Sequence, residues 1–168
     1  KVSYDLPADT VAGLVAIVPA LEKARLYRGR GGELMRQAAC RVVECLALTK
    51  TDVAIKTQLR LLDSIDESLR HAVESVQLSA MAALRAVLRS WFPVGQDGPS
   101  ERLRARTVGL YVTGLRTQEN PAVARGYAMA LGVLPRKIAG GRIARDPRRS
   151  PGRPEGRRSR PPRAPLAA

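Results

Sequence analysis

The chain is poor in the residues on which enzymes, metal sites and membrane spans depend. Aromatic residues make up 4% of its 168 positions, and it has one histidine and two cysteines. That set cannot supply the four ligands of a structural zinc site. No apolar run approaches the roughly 20 residues of a membrane helix, and no charged and then apolar N-terminal segment indicates secretion. We therefore predict a soluble chain with a core of Leu, Val, Ile and Ala, and Lys1 suggests a fragment or a processed piece.

The two cysteines are expected to play a packing role. Cys40 and Cys45 lie five positions apart on one predicted helix, about 140° around it, so they cannot form a disulfide with each other. We expect both to be small buried apolar side chains in a reducing compartment.

Three segments share one apolar pattern, which we call the inner-helix template. From its first residue (position 0), apolar or small residues recur at positions +3, +4, +7, +8 and +11, which form one face of an α-helix. The small members let a neighbouring helix approach closely. The three sets are Met35, Ala38, Ala39, Val42, Val43 and Leu46; Val76, Ser79, Ala80, Ala83, Leu84 and Val87; and Val123, Gly126, Tyr127, Ala130, Leu131 and Leu134.

The spacing of the three segments predicts the fold class. Their first residues lie 41 and 47 positions apart, and HEAT-type helical hairpins repeat every 40 to 47 residues or so. We therefore predict an all-α fold, an α-solenoid of HEAT-like hairpins over residues 1–138, with the three segments as inner helices.

Two outer helices are expected in the first half of the chain. The first runs from Asp5 to Tyr27 and is kinked or split at Pro19. Thr51 or Asp52 caps the second. Its apolar residues are Ile55, Leu59, Leu62, Ile65 and Leu69, and its solvated acidic patch is Asp63, Asp66 and Glu67.

A third outer helix is expected after a loop over 92–99. Ser100 caps it, and it runs to about Arg116. Asn120 and Pro121 then start the last inner helix, which Pro135 ends. The apolar residues of the third outer helix are Leu103, Leu110, Val112 and Leu115.

The last thirty residues differ sharply from the rest. Residues 139–168 hold nine Arg, six Pro and four Gly against two acidic residues, a net charge of +7, which is half of the chain's +14. Such a segment cannot bury enough apolar surface to offset chain entropy. We predict a disordered basic tail.

The predicted repeat helices resemble the C-terminal conserved region of the tubulin-folding cofactor D family. The resemblance rests on LEKARLYRGRGGELMRQAACRVVECLAL, LLDSIDESLRHAVESVQLSAMAALRAVL and ENPAVARGYAMALGVLP, and it covers roughly residues 10–135. RGRGGELMRQAAC and NPAVARGYAMALGVLP are its most specific parts. The family usually has Pro where this chain has Ala72, and it continues with a further apolar helix where this chain has the basic tail. We expect that tail to come from alternative splicing or a shifted reading frame.

The resemblance implies a chaperone scaffold without catalytic residues, cofactor or metal. Its members capture β-tubulin, take part in assembly and disassembly of the αβ-tubulin heterodimer with cofactors E and C, and influence tubulin's GTPase only together with them. An Arf-like small GTPase is a further partner. The implied location is cytoplasmic, at the cytoskeleton or centrosome and at cell junctions.

The candidate partner-binding surface is a cluster of arginines at the first inner helix: Arg28, Arg30, Arg36 and Arg41. Their charge suits an acidic partner such as tubulin, and a solvated helix face explains them nearly as well. The turn they flank lacks the spacing of a phosphate-binding loop.

Other conspicuous residues favour structural roles. His71 has no nucleophile at helical spacing and is expected in a turn. Trp91 favours packing over a partner contact. Met35, Met81 and Met129 favour core filling over an adaptable binding groove. No nucleophile with its base, and no paired acid and base, indicates an enzyme.

The tail supports a different hypothesis. Its arginines over 142–163 can neutralise phosphates, so the alternative function is a basic protein that binds nucleic acid nonspecifically. The lack of aromatic residues for base stacking weighs against it. Arg148, Pro151 and Pro154 also match an SH3 ligand pattern, and inert disorder remains the simplest interpretation.

Overall fold

The computed structural model describes residues 7–93 and 99–134, and within them the fold is all-α. Six helices follow one another with no strand between them in this part of the chain. They are α1 (Ala8–Lys23), α2 (Gly32–Leu48), α3 (Ile55–Leu69), α4 (Glu74–Ser90), α5 (Pro99–Thr117) and α6 (Pro121–Gly132). The all-α prediction is confirmed.

Several sequence predictions fall on positions outside the described residues. These are the cap at Asp5, the central part of the 92–99 loop, the end at Pro135, the side chains of Ser100 and Leu103, and the tail over 139–168. They stay predictions, as does the domain boundary at 138.

The helices α2, α4 and α6 lie side by side, with α4 in the middle. The most extensive packing joins α2 to α4. In addition α3 packs on α4, α5 packs on α6, and α1 lies more lightly against α2 and α3. Gln37 near the start of α2 donates a hydrogen bond to Ser75 near the start of α4 (3.3 Å). Gln77, also near the start of α4, donates to the carbonyl oxygen of Ala122 near the start of α6 (2.6 Å). The three inner helices are therefore parallel, with their N-termini at one end.

The inner-helix template is confirmed in α4 and α6. Val76, Ala83 and Val87 are fully buried in α4, and in α6 Val123 and Leu131 pack against the core. Burying these branched and small side chains removes apolar surface from water, which is the main favourable term in folding. The other buried members are Ala80, Leu84, Gly126, Tyr127, Ala130 and Leu134.

In α2 the template holds only in part. Ala39, Val43 and Leu46 are buried as predicted, whereas Met35 is 36% exposed and Ala38 is exposed. The prediction that Met35 fills the core is therefore wrong. Among the described residues no helix covers that side of α2, and the buried side of α2 faces α1, α3 and α4.

The outer helices depart from prediction in three places. The helix α1 continues through Pro19 without a break and ends at Lys23. In α3, Ile55 is 54% exposed and Leu59 is 36% exposed, since the helix buries Leu61 instead.

The third departure is in α5. Leu110 and Leu115 are exposed by 50% and 39%, because α5 turns Tyr111 and Val108 inward. The aromatic ring of Tyr111 buries more apolar area than a leucine does, which favours that rotation of the helix.

The predicted caps hold at α6 but not at α3 or α5. The cap at Thr51 or Asp52 is wrong, because α3 begins at Ile55 after Ala54 and no side chain caps it. The helix α5 already begins at Pro99, before the predicted cap Ser100.

The Asn120 side chain accepts a hydrogen bond from the backbone N–H of Ala122 (2.9 Å), with Pro121 at the first helical position. This is the arrangement expected for Asn and Pro at a helix start. His71 lies in the turn before α4, and its Nδ1 accepts a hydrogen bond from the backbone N–H of Val73 (3.1 Å). Its predicted turn role is confirmed.

Close approach of α6 to the end of α3 depends on Gly126. A Cβ built at this position would lie 1.8 Å from the carbonyl oxygen of Leu69, so no other residue fits without a backbone shift. We expect Gly126→Ala to lower the free energy of unfolding by about 2–3 kcal/mol, because overpacking forces the helices apart. Chemical denaturation monitored by circular dichroism measures this.

Gly132 provides the matched control in the same helix. A Cβ at Gly132 would meet nothing within 4 Å, so Gly132→Ala is expected to be neutral or to stabilise by up to about 1 kcal/mol. Equal effects of the two substitutions would contradict the close-approach role of Gly126.

Candidate functional site

The four predicted arginines lie around the turn into α2, but they are not equivalent. Arg28 and Arg30 are exposed in the turn, and neither forms an ion pair with another described residue. The turn has a defined shape because Gly29 and Gly31 adopt left-handed φ values of 82° and 84°, a region that glycine enters without steric cost. Arg28 and Arg30 are therefore unpaired cations on a shaped turn.

Arg36 is a packing residue. Its guanidinium carbon lies 4.6 Å from the centroid of the Tyr27 ring, within the range of a cation–π contact. Its Nε atom is buried and has no hydrogen-bond partner among the described residues. Burial, with a contribution from Glu22, raises the pKa of Tyr27 to about 12. Arg36 thus packs on the Tyr27 ring, and its charge faces this ring rather than solvent.

Arg41 already has a partner within its own helix. Its Nη1 atom lies 2.6 Å from Oε2 of Glu44, and the Arg41 side chain is 68% exposed. A surface pair at this spacing contributes little to stability, yet it neutralises the local charge. The predicted cluster therefore reduces to Arg28 and Arg30 as free cations.

The two cysteines differ from each other. Cys40 is buried, and this burial raises the pKa of its thiol. Cys45 is exposed, so the prediction that both are buried is wrong for Cys45. The residue lies on the side of α2 that no described helix covers, and its thiol is reachable from solvent.

The methionines and Trp91 were predicted to have packing roles. Met81 and Trp91 are partly buried and pack against the core, as predicted, and Met129 is half-buried. The Nε1 atom of Trp91 is buried with no hydrogen-bond partner in the described part of the chain. Trp91 therefore packs mainly through its apolar ring.

Gln77, which makes more side-chain hydrogen bonds than any other polar residue reported for the described part of the chain, was not predicted. It is fully buried in α4, and its Nε2 atom lies 3.0 Å from the carbonyl oxygen of Leu69, 2.8 Å from that of His71 and 2.6 Å from that of Ala122. The two hydrogens of the amide are thus shared among three acceptors. They join the end of α3, the following turn and the start of α6.

Arg125 completes this arrangement, which we call the Gln77 junction. Its Nε atom donates to Oε1 of Gln77 (2.7 Å) and its Nη2 atom donates to the carbonyl oxygen of Ala72 (3.0 Å). A more exposed ion pair with Glu74 (3.5 Å) adds little. Bonds to a charged donor are stronger than neutral ones, so the junction fixes α6 against α4. The junction could have been predicted from the sequence only through Gln77, a polar residue within an otherwise apolar helix face.

A second buried polar contact joins α3 to α5. The hydroxyl of Tyr111 donates to Oδ1 of Asp66, and the rings of Tyr111 and Tyr127 lie 5.8 Å apart. The prediction of a solvated acidic patch is therefore wrong for Asp66. Burial raises the pKa of Asp66 to about 6, with a further increase from Asp63 and opposing effects of the Tyr111 hydrogen bond and of Arg70.

A groove of about 970 Å³ runs between α1 and the start of α3. One wall is apolar and comes from Val11, Val15 and Pro19 of α1. The opposite wall carries the hydroxyl groups of the 49–54 segment and the charged Lys50 and Arg60. No motif in the sequence predicted this groove, because its two walls come from segments that are about 40 residues apart in the chain.

The described residues hold no group of three or more His, Cys, Asp or Glu side chains that could bind a metal ion. None of the described helices is long and apolar enough to cross a membrane.

No family model matches the chain, and no solved structure matches it. The described residues therefore form an all-α fold with a cationic turn shaped by Gly29 and Gly31 and a buried polar junction.

The contact of Asp66 predicts a pH effect. A folded-state pKa of about 6 exceeds the roughly 3.9 of an unfolded aspartate, so the folded state binds more protons between these values. The free energy of unfolding should then fall as pH rises from about 4 to 6. Asp66→Asn keeps an oxygen that can accept from Tyr111 and removes the buried charge. We expect it to stabilise the protein at pH 7 by on the order of 1–2 kcal/mol and to flatten this slope.

Urea unfolding at a series of pH values measures both effects. The exposed neighbour Asp63 supplies the control, because Asp63→Asn should change the slope much less. A slope that persists in the Asp66 variant would contradict the assignment.

Proposed function

We propose that the three hairpins α1–α2, α3–α4 and α5–α6 form an α-solenoid of HEAT-like repeats. Support comes from the parallel order of α2, α4 and α6 and from the outer helices, two of which pack closely on their own inner partners. The inner helices also pack on those of the neighbouring hairpin, α2 on α4 and α4 on α6, as neighbouring repeats do in repeat proteins. The repeat period in the sequence adds to this support.

On that scaffold we propose a non-enzymatic chaperone function of the tubulin-folding cofactor D type. The chain binds β-tubulin and takes part in assembly and disassembly of the αβ-tubulin heterodimer. The observation that carries this proposal is the turn at 28–32, which lies in the most specific part of the resemblance. It holds two exposed arginines that form no ion pair within the described part of the chain. Positive charge on a shaped turn attracts an acidic partner and orients it.

Binding in this proposal is by surface complementarity, without nucleotide, cofactor or metal. Any influence on tubulin's GTPase comes from holding tubulin in a competent state together with cofactors E and C. An Arf-like small GTPase is a further partner. The proposed location is the cytoplasm, with the cytoskeleton, centrosome and cell junctions as sites of action.

The alternative, nonspecific nucleic-acid binding, depends entirely on the tail over 139–168, outside the described residues. Deleting the tail separates the two proposals. Capture of tubulin should survive the deletion under the first, and all binding should be lost under the second. Phosphate contacts would also make nucleic-acid binding fall steeply with salt.

A paired charge reversal tests the cationic turn. Arg28→Glu combined with Arg30→Glu is expected to weaken capture of native tubulin about tenfold or more at low salt, because attraction becomes repulsion at the contact. The difference should shrink as added salt screens the charges. A pull-down at two salt concentrations, quantified against added tubulin, measures this.

Arg106 and Arg116 provide the matched control, since both are exposed on α5. Reversing these two charges alters the net charge equally and should weaken capture far less. Equal losses in the two double variants would indicate a nonspecific effect of net charge. No loss in the turn variant would remove the turn as the binding surface.

A further inference from the structure

The exposed side of α4 is a narrow sector between the two neighbouring inner helices. Five residues of α4 are exposed, and at about 3.6 residues per turn they fall within roughly 100° of the helix. They are Glu74, Ser75, Leu78, Arg85 and Arg89. One edge of the sector contacts α2 through the hydrogen bond from Gln37 to Ser75 (3.3 Å), and the other contacts α6 through the ion pair of Glu74 with Arg125 (3.5 Å). Leu78, Arg85 and Arg89 lie between these edges, and we call them the central strip.

Described helices enclose α4 on every other side. It packs on α2, α3 and α6, and Val76, Ala80 and Leu84 are fully buried there. The central strip is therefore the part of the middle inner helix that its neighbours leave open to a partner.

Arg85 and Arg89 differ from the other arginines of the inner helices. Each of the others has an aromatic or carboxylate partner within the described part of the chain. These pairs are Arg36 on Tyr27, Arg41 with Glu44, and Arg125 with Glu74. Arg85 and Arg89 form no ion pair with another described residue, and like charges one helical turn apart repel each other. Both features favour an anionic partner that contacts the two guanidinium groups together.

Exposed apolar side chains accompany these cations. Leu48 lies on the same side of α2 as Gln37, three helical turns further along. Because Gln37 bonds to the start of α4 and the two helices are parallel with equal rise, Leu48 lies beside the C-terminal part of the central strip. Leu48 is 59% exposed and Leu78 is 44% exposed. The surface therefore combines unpaired positive charge with apolar area that gains from removal from water.

We propose that the central strip binds an acidic segment of a partner protein. Carboxylates of the segment pair with Arg85 and Arg89, because a guanidinium group can donate two parallel hydrogen bonds to a carboxylate. Apolar side chains of the segment cover Leu48 and Leu78. The strip from Leu78 to Arg89 is about 16 Å long at 1.5 Å per residue, a length that about five extended residues span.

Charge and apolar area together favour this occupant over other candidates. A second copy of the chain, with a net charge of +14, and the chain's own tail over 139–168, with +7, would add positive charge to the strip. A nucleic acid supplies phosphates, but the central strip has no aromatic side chain on which a base could stack. An acidic segment with apolar residues satisfies both the arginines and the leucines.

The central strip is separate from the cationic turn of the proposed function. The turn precedes the N-terminus of α2, whereas Arg85 and Arg89 lie in the C-terminal half of α4, and these helices are parallel. The two sites are therefore on the order of 20 Å apart along the helix axes. Binding at the strip does not require the turn.

Binding of an acidic peptide to the full chain tests the proposal. The probe is a fluorescein-labelled peptide of repeated Glu-Glu-Leu units, and fluorescence anisotropy measures its Kd at physiological salt. Arg85→Glu combined with Arg89→Glu should weaken binding about tenfold or more, because attraction becomes repulsion. Leu78→Ser should weaken it about threefold or more, because an apolar contact is lost. All three side chains are exposed, so circular dichroism should show an unchanged helix content.

Trp91 reports binding at the strip itself. It is the only tryptophan in the chain and lies two residues after Arg89. Titration with the unlabelled peptide should change its fluorescence in the unchanged chain and leave it unaltered in the Arg85 and Arg89 double variant. Peptide bound at the distant turn does not produce this change, so the Arg28 and Arg30 double variant should retain it.

The matched control reverses Arg106 and Arg116, which are exposed on α5. This variant has the same net charge as the strip variant and should change the Kd far less. Equal losses in the two variants, or an unchanged Kd in the strip variant, would overturn the proposal. A peptide with Gln in place of Glu that binds equally well would also overturn it. So would a single-stranded thymidine oligonucleotide that displaces the peptide and binds the strip more tightly, since it would indicate a phosphate ligand. Tubulin capture through the turn is unaffected by any of these results.

Discussion

The buried amide of Gln77 is the interaction on which the arrangement of the inner helices depends. A helix end leaves its last carbonyl groups without partners inside the helix, and α3 ends where α4 and α6 both begin. Gln77 satisfies the carbonyl oxygens of Leu69, His71 and Ala122 at that point. Without it, one buried and two part-buried acceptors would lose a donor, and an unpaired buried group costs about 1–3 kcal/mol.

This junction also constrains what lies around it. Arg125 supplies the carbonyl side of the Gln77 amide with a charged donor, so α6 has one favoured register on α4. That register brings Gly126 against the end of α3 and Tyr127 against Tyr111 of α5. The cationic turn before α2 lies away from the junction and can change without disturbing it.

Periodicity in the sequence was sufficient for the fold class and for most inner-helix residues. A buried helix face must repeat every three or four positions, and α4 and α6 obey this rule throughout. The same rule failed for Met35 and Ala38, because periodicity identifies an apolar face but not whether a neighbour covers it. It also failed for Asp66, since a carboxylate between apolar positions is ordinarily solvated, and only the fold brings Tyr111 to it.

The candidate site was less predictable than the fold. Four arginines looked alike in the sequence, yet Arg36 packs on Tyr27 and Arg41 pairs with Glu44, and only the structure separates them from Arg28 and Arg30. Gln77 was missed because its acceptors are backbone carbonyls far apart in sequence, which no side-chain pattern records. Long-range polar contacts of this kind require the packed geometry.

The most direct measurement is a double-mutant cycle on the junction by urea unfolding. Gln77→Met and Arg125→Met, alone and together, remove each partner while keeping similar side-chain length. If the two residues lock α4 to α6 as a unit, their effects on the free energy of unfolding should be coupled by about 1–3 kcal/mol. Effects that simply add, within about 0.5 kcal/mol, would contradict the central role of the Gln77 junction.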